Sequence, residues 1–168
     1  MVSGVQLMSK KKIPSLLFVC SGNICRSPAL KGMMEHLLKE KGIHAYIESC
    51  GLHATFLGNP PDRRMQVAGE SYGITLHDRA KLFEASFFDQ FDAIFCVTED
   101  VRAAVKAMAH TKEHQSKIFI ASHFSEKYKD EEIPDPYFGG EKSFKHVWER
   151  VEDACKGILT HFFIDHSS

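Results

Sequence analysis

Short apolar runs alternate along this chain with stretches in which apolar residues recur every three or four positions. Ser15–Cys20 is a continuous run of the kind that fills a strand buried on both faces. Beyond it Leu30, Met33, Met34, Leu37 and Leu38 share one helical face, a pattern carried to Lys41 and stopped at Gly42. A second strand is expected over about Ala45–Cys50. A loop with Gly58 and two prolines follows it, then a helix ending near Gly73. The third strand is expected over Phe91–Val97, and the next helix carries Val101, Ala104, Val105 and Met108 on one face. A fourth strand is expected over Lys117–Ala121. The last helix bears the strongest stripe of the chain, from Phe144 through Val147, Trp148, Val151 and Cys155 to Phe162, and reads as core packing.

This alternation predicts an α/β fold: a three-layer sandwich with a central four-stranded parallel sheet and helices on both faces. In such sheets ligands sit beyond the carboxyl ends of the strands. A chain of 168 residues suits one domain. The expected division is a disordered extension over residues 1–12, with Met8 as an alternative start, and a single domain over 13–165.

Charge narrows the partners. With 21 basic and 22 acidic side chains the net charge is −1, so no global field favours nucleic acid or an anionic membrane. Lys10-Lys11-Lys12 reads as a solvated patch without an adjoining signal-peptide core. No apolar stretch reaches the ~18 residues that span a bilayer. Five cysteines, at spacings matching neither a zinc site nor a disulfide framework, point to a reducing compartment and a cytoplasmic protein. His110 and His114 lack a further ligand nearby, and no metal or cofactor is expected.

The candidate chemistry lies where the first strand meets its helix, in Cys20-Ser21-Gly22-Asn23-Ile24-Cys25-Arg26-Ser27-Pro28. A helix start offers unpaired N–H groups and the positive end of a dipole, which suits an oxyanion. Gly22-Asn23 supplies two residues that tolerate left-handed backbone angles. Arg26 can grip two phosphate oxygens through its planar fork. Cys20 would attack phosphorus as a thiolate, the form that cationic and amide-rich surroundings favour. Ser27 can donate to that sulfur or cap the helix. The bland alternative is a structural Cys20 beside a surface Arg26.

Val19 to Pro28 resembles the signature loop of the low-molecular-weight protein tyrosine phosphatases, and the similarity spans about residues 13 to 165. Ile133-Pro134-Asp135-Pro136-Tyr137-Phe138-Gly139-Gly140 resembles the family's Asp-Pro-Tyr acid loop. Gly58-Asn59-Pro60-Pro61-Asp62 and Phe91-Asp92-Ala93-Ile94-Phe95-Cys96 extend the match. The resemblance implies hydrolysis of phosphotyrosine proteins or aryl phosphates by a monomer, through a phosphocysteine, with inorganic phosphate as product. Cys20 is then the nucleophile, Arg26 the clamp, and Asp135 the general acid and later base. Ser21, Gly22, Asn23, Ile24, Cys25 and Ser27 would hold the phosphate, with Tyr137 and Phe138 as an aromatic wall. Asn23, Ser49 and His77 match positions that support the loop. Tyr137 matches one that can be phosphorylated. Cys25 is either a reversible disulfide partner of Cys20 or a packing residue.

Two departures bear on substrate range. Many relatives carry Trp or Tyr at the position of Thr55, a wall that Phe56 would have to supply. Val97-Thr98-Glu99-Asp100-Val101-Arg102 lacks the usual Met-Asp-x-x-Asn-Leu pattern. Two other readings share the loop. A thioredoxin-coupled arsenate reductase needs two further cysteines close together, and Cys96 has none between it and Cys155. An inactive phosphotyrosine-binding module would be expected to have lost Cys20 or Asp135, and both are present.

Overall fold

The computed structural model describes residues 13–164. The expected extension over 1–12, with Met8 and the three lysines, lies outside the described residues, as does position 165. Four strands, β1 (Ser15–Cys20), β2 (Tyr46–Gly51), β3 (Ala93–Cys96) and β4 (Ile118–Ile120), form one parallel sheet in the order β2-β1-β3-β4. The helices are α1 (Arg26–Glu40), α2 (Arg63–Gly69), α3 (Phe87–Gln90), α4 (Glu99–Ala107), α5 (Lys112–Gln115) and α6 (Glu141–Phe163). The chain steps one way from β1 to β2 and the other way from β3 to β4, so right-handed crossovers put α1 and α4 on opposite faces. α6 packs beside α1. The architecture is the three-layer α/β sandwich that the alternation predicts.

β1 is central, and Leu16, Leu17, Phe18 and Val19 are fully buried, which is why its sequence is a continuous apolar run. In register, Val19 lies opposite Cys50 on one side and Cys96 on the other, while Cys20 faces Gly51. α1 stops where expected, with Gly42 at φ 67°. Trp148 of α6 is buried, stacks on Tyr72 at 5.4 Å and donates its indole N–H to the Met65 carbonyl at 3.0 Å.

The third and fourth strands are shorter than the apolar runs suggest. Phe91 leaves the strand to stack on Tyr46 at 5.8 Å and meet Phe87 edge-on at 5.6 Å. Ala121–Phe124 turns into 3₁₀ helix. The segment between Gly73 and β3, which shows no clear period, packs Phe83, Phe87 and Phe88 into the core and bridges to β2 at Gly51↔Leu82. His114 stacks on Phe88 at 4.9 Å and pairs with Asp89 at 2.9 Å, so it ties α5 to α3. Among the described residues no three His, Cys, Asp or Glu side chains gather as metal ligands. No described helix is long and apolar enough to cross a membrane.

Candidate active site

The loop from Ser21 to Cys25 joins the carboxyl end of β1 to the first residue of α1. Two of its carbonyls are engaged by neighbouring loops: Ser21 O accepts from the N–H groups of Leu52 (2.8 Å) and His53 (2.9 Å), and Ile24 O accepts from Asp62 N–H at 2.8 Å. The N–H groups of Gly22, Ile24 and Cys25 have no hydrogen-bond partner among the described residues. Together with the start of α1 they form an anion cradle. Within this loop only Asn23 takes the left-handed conformation, at φ 60°. Gly22 is needed for a different reason, because a Cβ there would stand 2.8 Å from the Phe56 ring. Gly51, which the sequence reading passed over, is tighter still. A Cβ on it would meet Ser21 O at 2.8 Å and Asn23 N at 2.9 Å.

At the cradle's floor Cys20 Sγ lies 2.9 Å from Ser27 Oγ and accepts from Asn23 N–H at 3.3 Å. The side chain of Asn23 donates to Ser27 Oγ at 2.8 Å and to Ser49 Oγ at 2.9 Å, and its Oδ1 accepts from Lys81 N–H at 2.9 Å. Ser27 therefore receives a proton from Asn23 and can give its own to Cys20 Sγ, or to Cys50 O at 3.3 Å. It does not cap α1, which has no side-chain cap. Asn23 and Ser49 thus support the loop as expected, but His77 does not. The imidazole is turned out to solvent, 75% exposed, with Nδ1 3.6 Å from Asp78.

The segment that contacts Asn23 is itself held by charge. Glu48 Oε1 lies 3.1 Å from Lys81 Nζ and 3.2 Å from Lys31 Nζ, and Lys31 also pairs with Asp78. Burial works against the Lys31 ammonium, but its hydrogen bond to Asp78 and the Glu48 charge outweigh this and hold it above its ordinary range. Burial likewise opposes the Glu48 carboxylate, yet Lys31 and Lys81 bring it below its usual value.

Arg26 is buried under the opposite rim. It donates through Nη1 to Ile133 O at 3.0 Å and through Nη2 to Ser21 Oγ at 3.4 Å, and Nη2 stands 3.8 Å from Asp135 Oδ2. Asp135 sits between two prolines that keep its loop extended. Its Oδ1 accepts from Tyr137 N–H at 3.0 Å, which leaves Oδ2 toward Arg26, and the side chain remains 54% exposed.

These groups enclose a cavity of about 180 Å³ that Cys20, Ile24, Arg26, Phe56, Asp135 and Tyr137 all line. The rings of Phe56 and Tyr137 lie 5.4 Å apart and form its walls. Phe56 takes the aromatic place that Thr55 leaves open. Phe138, expected in the wall, stands at the mouth and is 97% exposed. The other four cysteines are buried thiols. Burial pushes all of them up, Cys96 to about 12; for Cys25 the Asp62 and Cys20 charges add to it.

The family model of the low molecular weight phosphotyrosine protein phosphatases matches residues 15–166. The chain belongs to this family of hydrolases. The low molecular weight phosphotyrosine protein phosphatase of Gallus gallus is 33% identical over 155 residues, covering 90% of this chain and 98% of its own. A protein tyrosine phosphatase from Entamoeba histolytica, solved with Hepes in its active site, superposes with a TM-score of 0.83 at 34% identity, over 87% of this chain and 94% of its own. A Drosophila arginine phosphatase shows the same fold with a TM-score of 0.83 at 29% identity, over 89% and 98% of the two chains. A phosphatase of this family thus carries the cradle, the buried Arg26 and the Asp135 loop around one cavity.

Proposed function

We propose that this chain is a protein tyrosine phosphatase that hydrolyses phosphotyrosine and other aryl phosphate monoesters in two displacements at Cys20. One arrangement carries the reading. Cys20 Sγ faces unpartnered loop amides on the floor of a cavity whose far rim bears the Arg26–Asp135 pair.

In the first step the Cys20 thiolate attacks phosphorus. The bond from phosphorus to the phenolic oxygen breaks, and the Asp135 carboxyl gives its proton to that oxygen. The loop amides and Arg26 stabilise the equatorial oxygens as charge spreads over them. Ser27 donates to the sulfur when it becomes the leaving group. In the second step water attacks the phosphocysteine while the Asp135 carboxylate takes its proton. The sulfur–phosphorus bond breaks, and thiolate and inorganic phosphate are released.

The walls favour an aryl ester. Phe56 and Tyr137 line the cavity and offer aromatic surface to a phenyl group, and Cys20, only 2% exposed, favours the longer reach of phosphotyrosine over the short arm of phosphoserine. Phosphoarginine is the informative competitor, because its guanidinium would need acceptors where Ile24 and Phe56 present only hydrocarbon. Steady-state kinetics on matched phosphotyrosine, phosphoserine and phosphoarginine peptides tests this. The expected order places phosphotyrosine first, and turnover should vanish in Cys20→Ser. Preference for phosphoarginine would reassign the substrate while leaving the cysteine chemistry in place. We further assign residues 13–165 to one catalytic domain, acting as a monomer in the cytoplasm.

A further inference from the structure

A second and larger concavity, of about 610 Å³, runs between α2 and the first turns of α6. Val67 and Ala68 of α2, Tyr72 and Phe144 of α6 line it. Arg64 separates it from the candidate active site. Its guanidinium lies over Tyr137, a wall of the catalytic cavity, at 5.3 Å, and over Phe144 of the groove at 4.5 Å. Asp62 fixes that guanidinium through two hydrogen bonds of 3.1 and 2.9 Å. The two rings are therefore at most about 10 Å apart, a span that roughly three residues of extended chain cover at ~3.3 Å each.

We infer that this groove receives the peptide segment flanking the phosphotyrosine, and that it selects an apolar side chain about three residues away. The inference rests on the phosphotyrosine reading above and adds a specificity surface to it. Continuity supports the occupant, because Tyr137 lines the catalytic cavity and Arg64 lies over it, so a polypeptide whose phosphotyrosine enters that cavity has one flank placed to cross Arg64 into the groove. The chemistry of the rim agrees. Five large apolar side chains are exposed among the described residues. Phe138, 97% exposed, stands at the cavity mouth, and Val67, 48% exposed, lines the groove. Charges around the groove are of both signs, Arg63 and Lys145 against Glu141 and Glu149 with Arg64 paired to Asp62, so the surface reads apolar shape more than net charge. Small aryl phosphates end at the mouth and do not reach it.

Val67→Glu tests this, since Val67 lines the groove and not the catalytic cavity, and Glu keeps helix propensity. The substrates are p-nitrophenyl phosphate and two series of phosphotyrosine peptides carrying Leu or Gly three positions before or after the phosphotyrosine. The wild type should prefer one Leu peptide over its Gly counterpart. Val67→Glu should lower kcat/KM for that Leu peptide roughly 5-fold or more, and leave the Gly peptide and p-nitrophenyl phosphate within about 2-fold. Equal rates on Leu and Gly peptides, or an equal loss on all substrates, would overturn the groove and leave the phosphatase reading intact. So would a flat peptide series in which Val67→Glu abolishes self-association in sedimentation, because the occupant would then be a second copy. A wild type inactive on p-nitrophenyl phosphate would instead remove the phosphatase reading itself.

Discussion

The main-chain N–H of Lys81 donates to Asn23 Oδ1 at 2.9 Å, and this bond decides which way the Asn23 amide faces. A backbone N–H cannot accept, so the NH₂ end must point to Ser27 and Ser49. That leaves the Ser27 proton for the Cys20 sulfur, 2.9 Å away. Asn23→Asp keeps the acceptor for Lys81 but puts a second acceptor against Ser27, whose proton is then drawn from the sulfur. Hydrogen bonds to charged groups contribute about 1.5–3 kcal/mol, so kcat should fall about 10- to 100-fold with a smaller change in KM. Steady-state kinetics on p-nitrophenyl phosphate separates the two, and a loss confined to KM would detach this network from the chemical step.

Asp135 should matter in proportion to how poor the leaving group is. Asp135→Asn is expected to slow phosphotyrosine by roughly 10²–10⁴-fold, the usual contribution of proton transfer. Esters of strongly acidic phenols should lose far less, since their phenolates depart unprotonated. A plot of log kcat against leaving-group pKa should be steeper for the variant. Parallel lines would take Asp135 out of the acid role.

Four of the five thiols should be silent to alkylation at pH 7. Burial pushes Cys25, Cys50, Cys96 and Cys155 up, so each is protonated there. Iodoacetate should therefore modify Cys20 alone, and phosphate should protect it. Peptide mapping by mass spectrometry reads this directly, and labelling of Cys25 ahead of Cys20 would contradict it.

Glu48 links the site to acid stability. Lys31 and Lys81 outweigh burial and hold its folded value below its ordinary one, so its contribution is present above about pH 4 and is lost as pH falls through the folded value. Glu35 has the opposite sign, because burial raises it and protonation relieves the folded state. Glu48→Gln, which leaves Lys31 and Lys81 without their shared carboxylate, should cost about 1–3 kcal/mol at neutral pH. The gap to the wild type should narrow as pH falls below about 4. Urea unfolding at pH 7 and pH 3.5 tests this, and a gap independent of pH would show that the pair contributes only packing.

The parts of the site that depend on residue type and order were legible in the sequence. Cys20, Arg26 and Asp135 follow strand-like or proline-stiffened segments, and the fold brings all three to one cavity. What depends on backbone contact left little trace. Ile133 serves Arg26 through its carbonyl and Lys81 serves Asn23 through its N–H, and any residue type presents those groups. Gly51 did leave a signal, a glycine ending a strand, whose meaning appears only once Ser21 and Asn23 are seen within 2.9 Å of its absent Cβ. His77 failed as a support because matching a position does not fix where a side chain points. In the fold, the four core strands and long helices followed from periodicity. The segment containing Phe83, Phe87 and Phe88 did not, since its aromatics fill gaps between elements at no regular spacing.

The most direct test is rapid acid quench during turnover of p-nitrophenyl phosphate, followed by mapping of the phosphorylated peptide. The phosphoryl group should be found on the sulfur of Cys20, and should be absent, together with all turnover, in Cys20→Ser. A phosphoryl group on another side chain, or turnover that survives Cys20→Ser, would contradict the account.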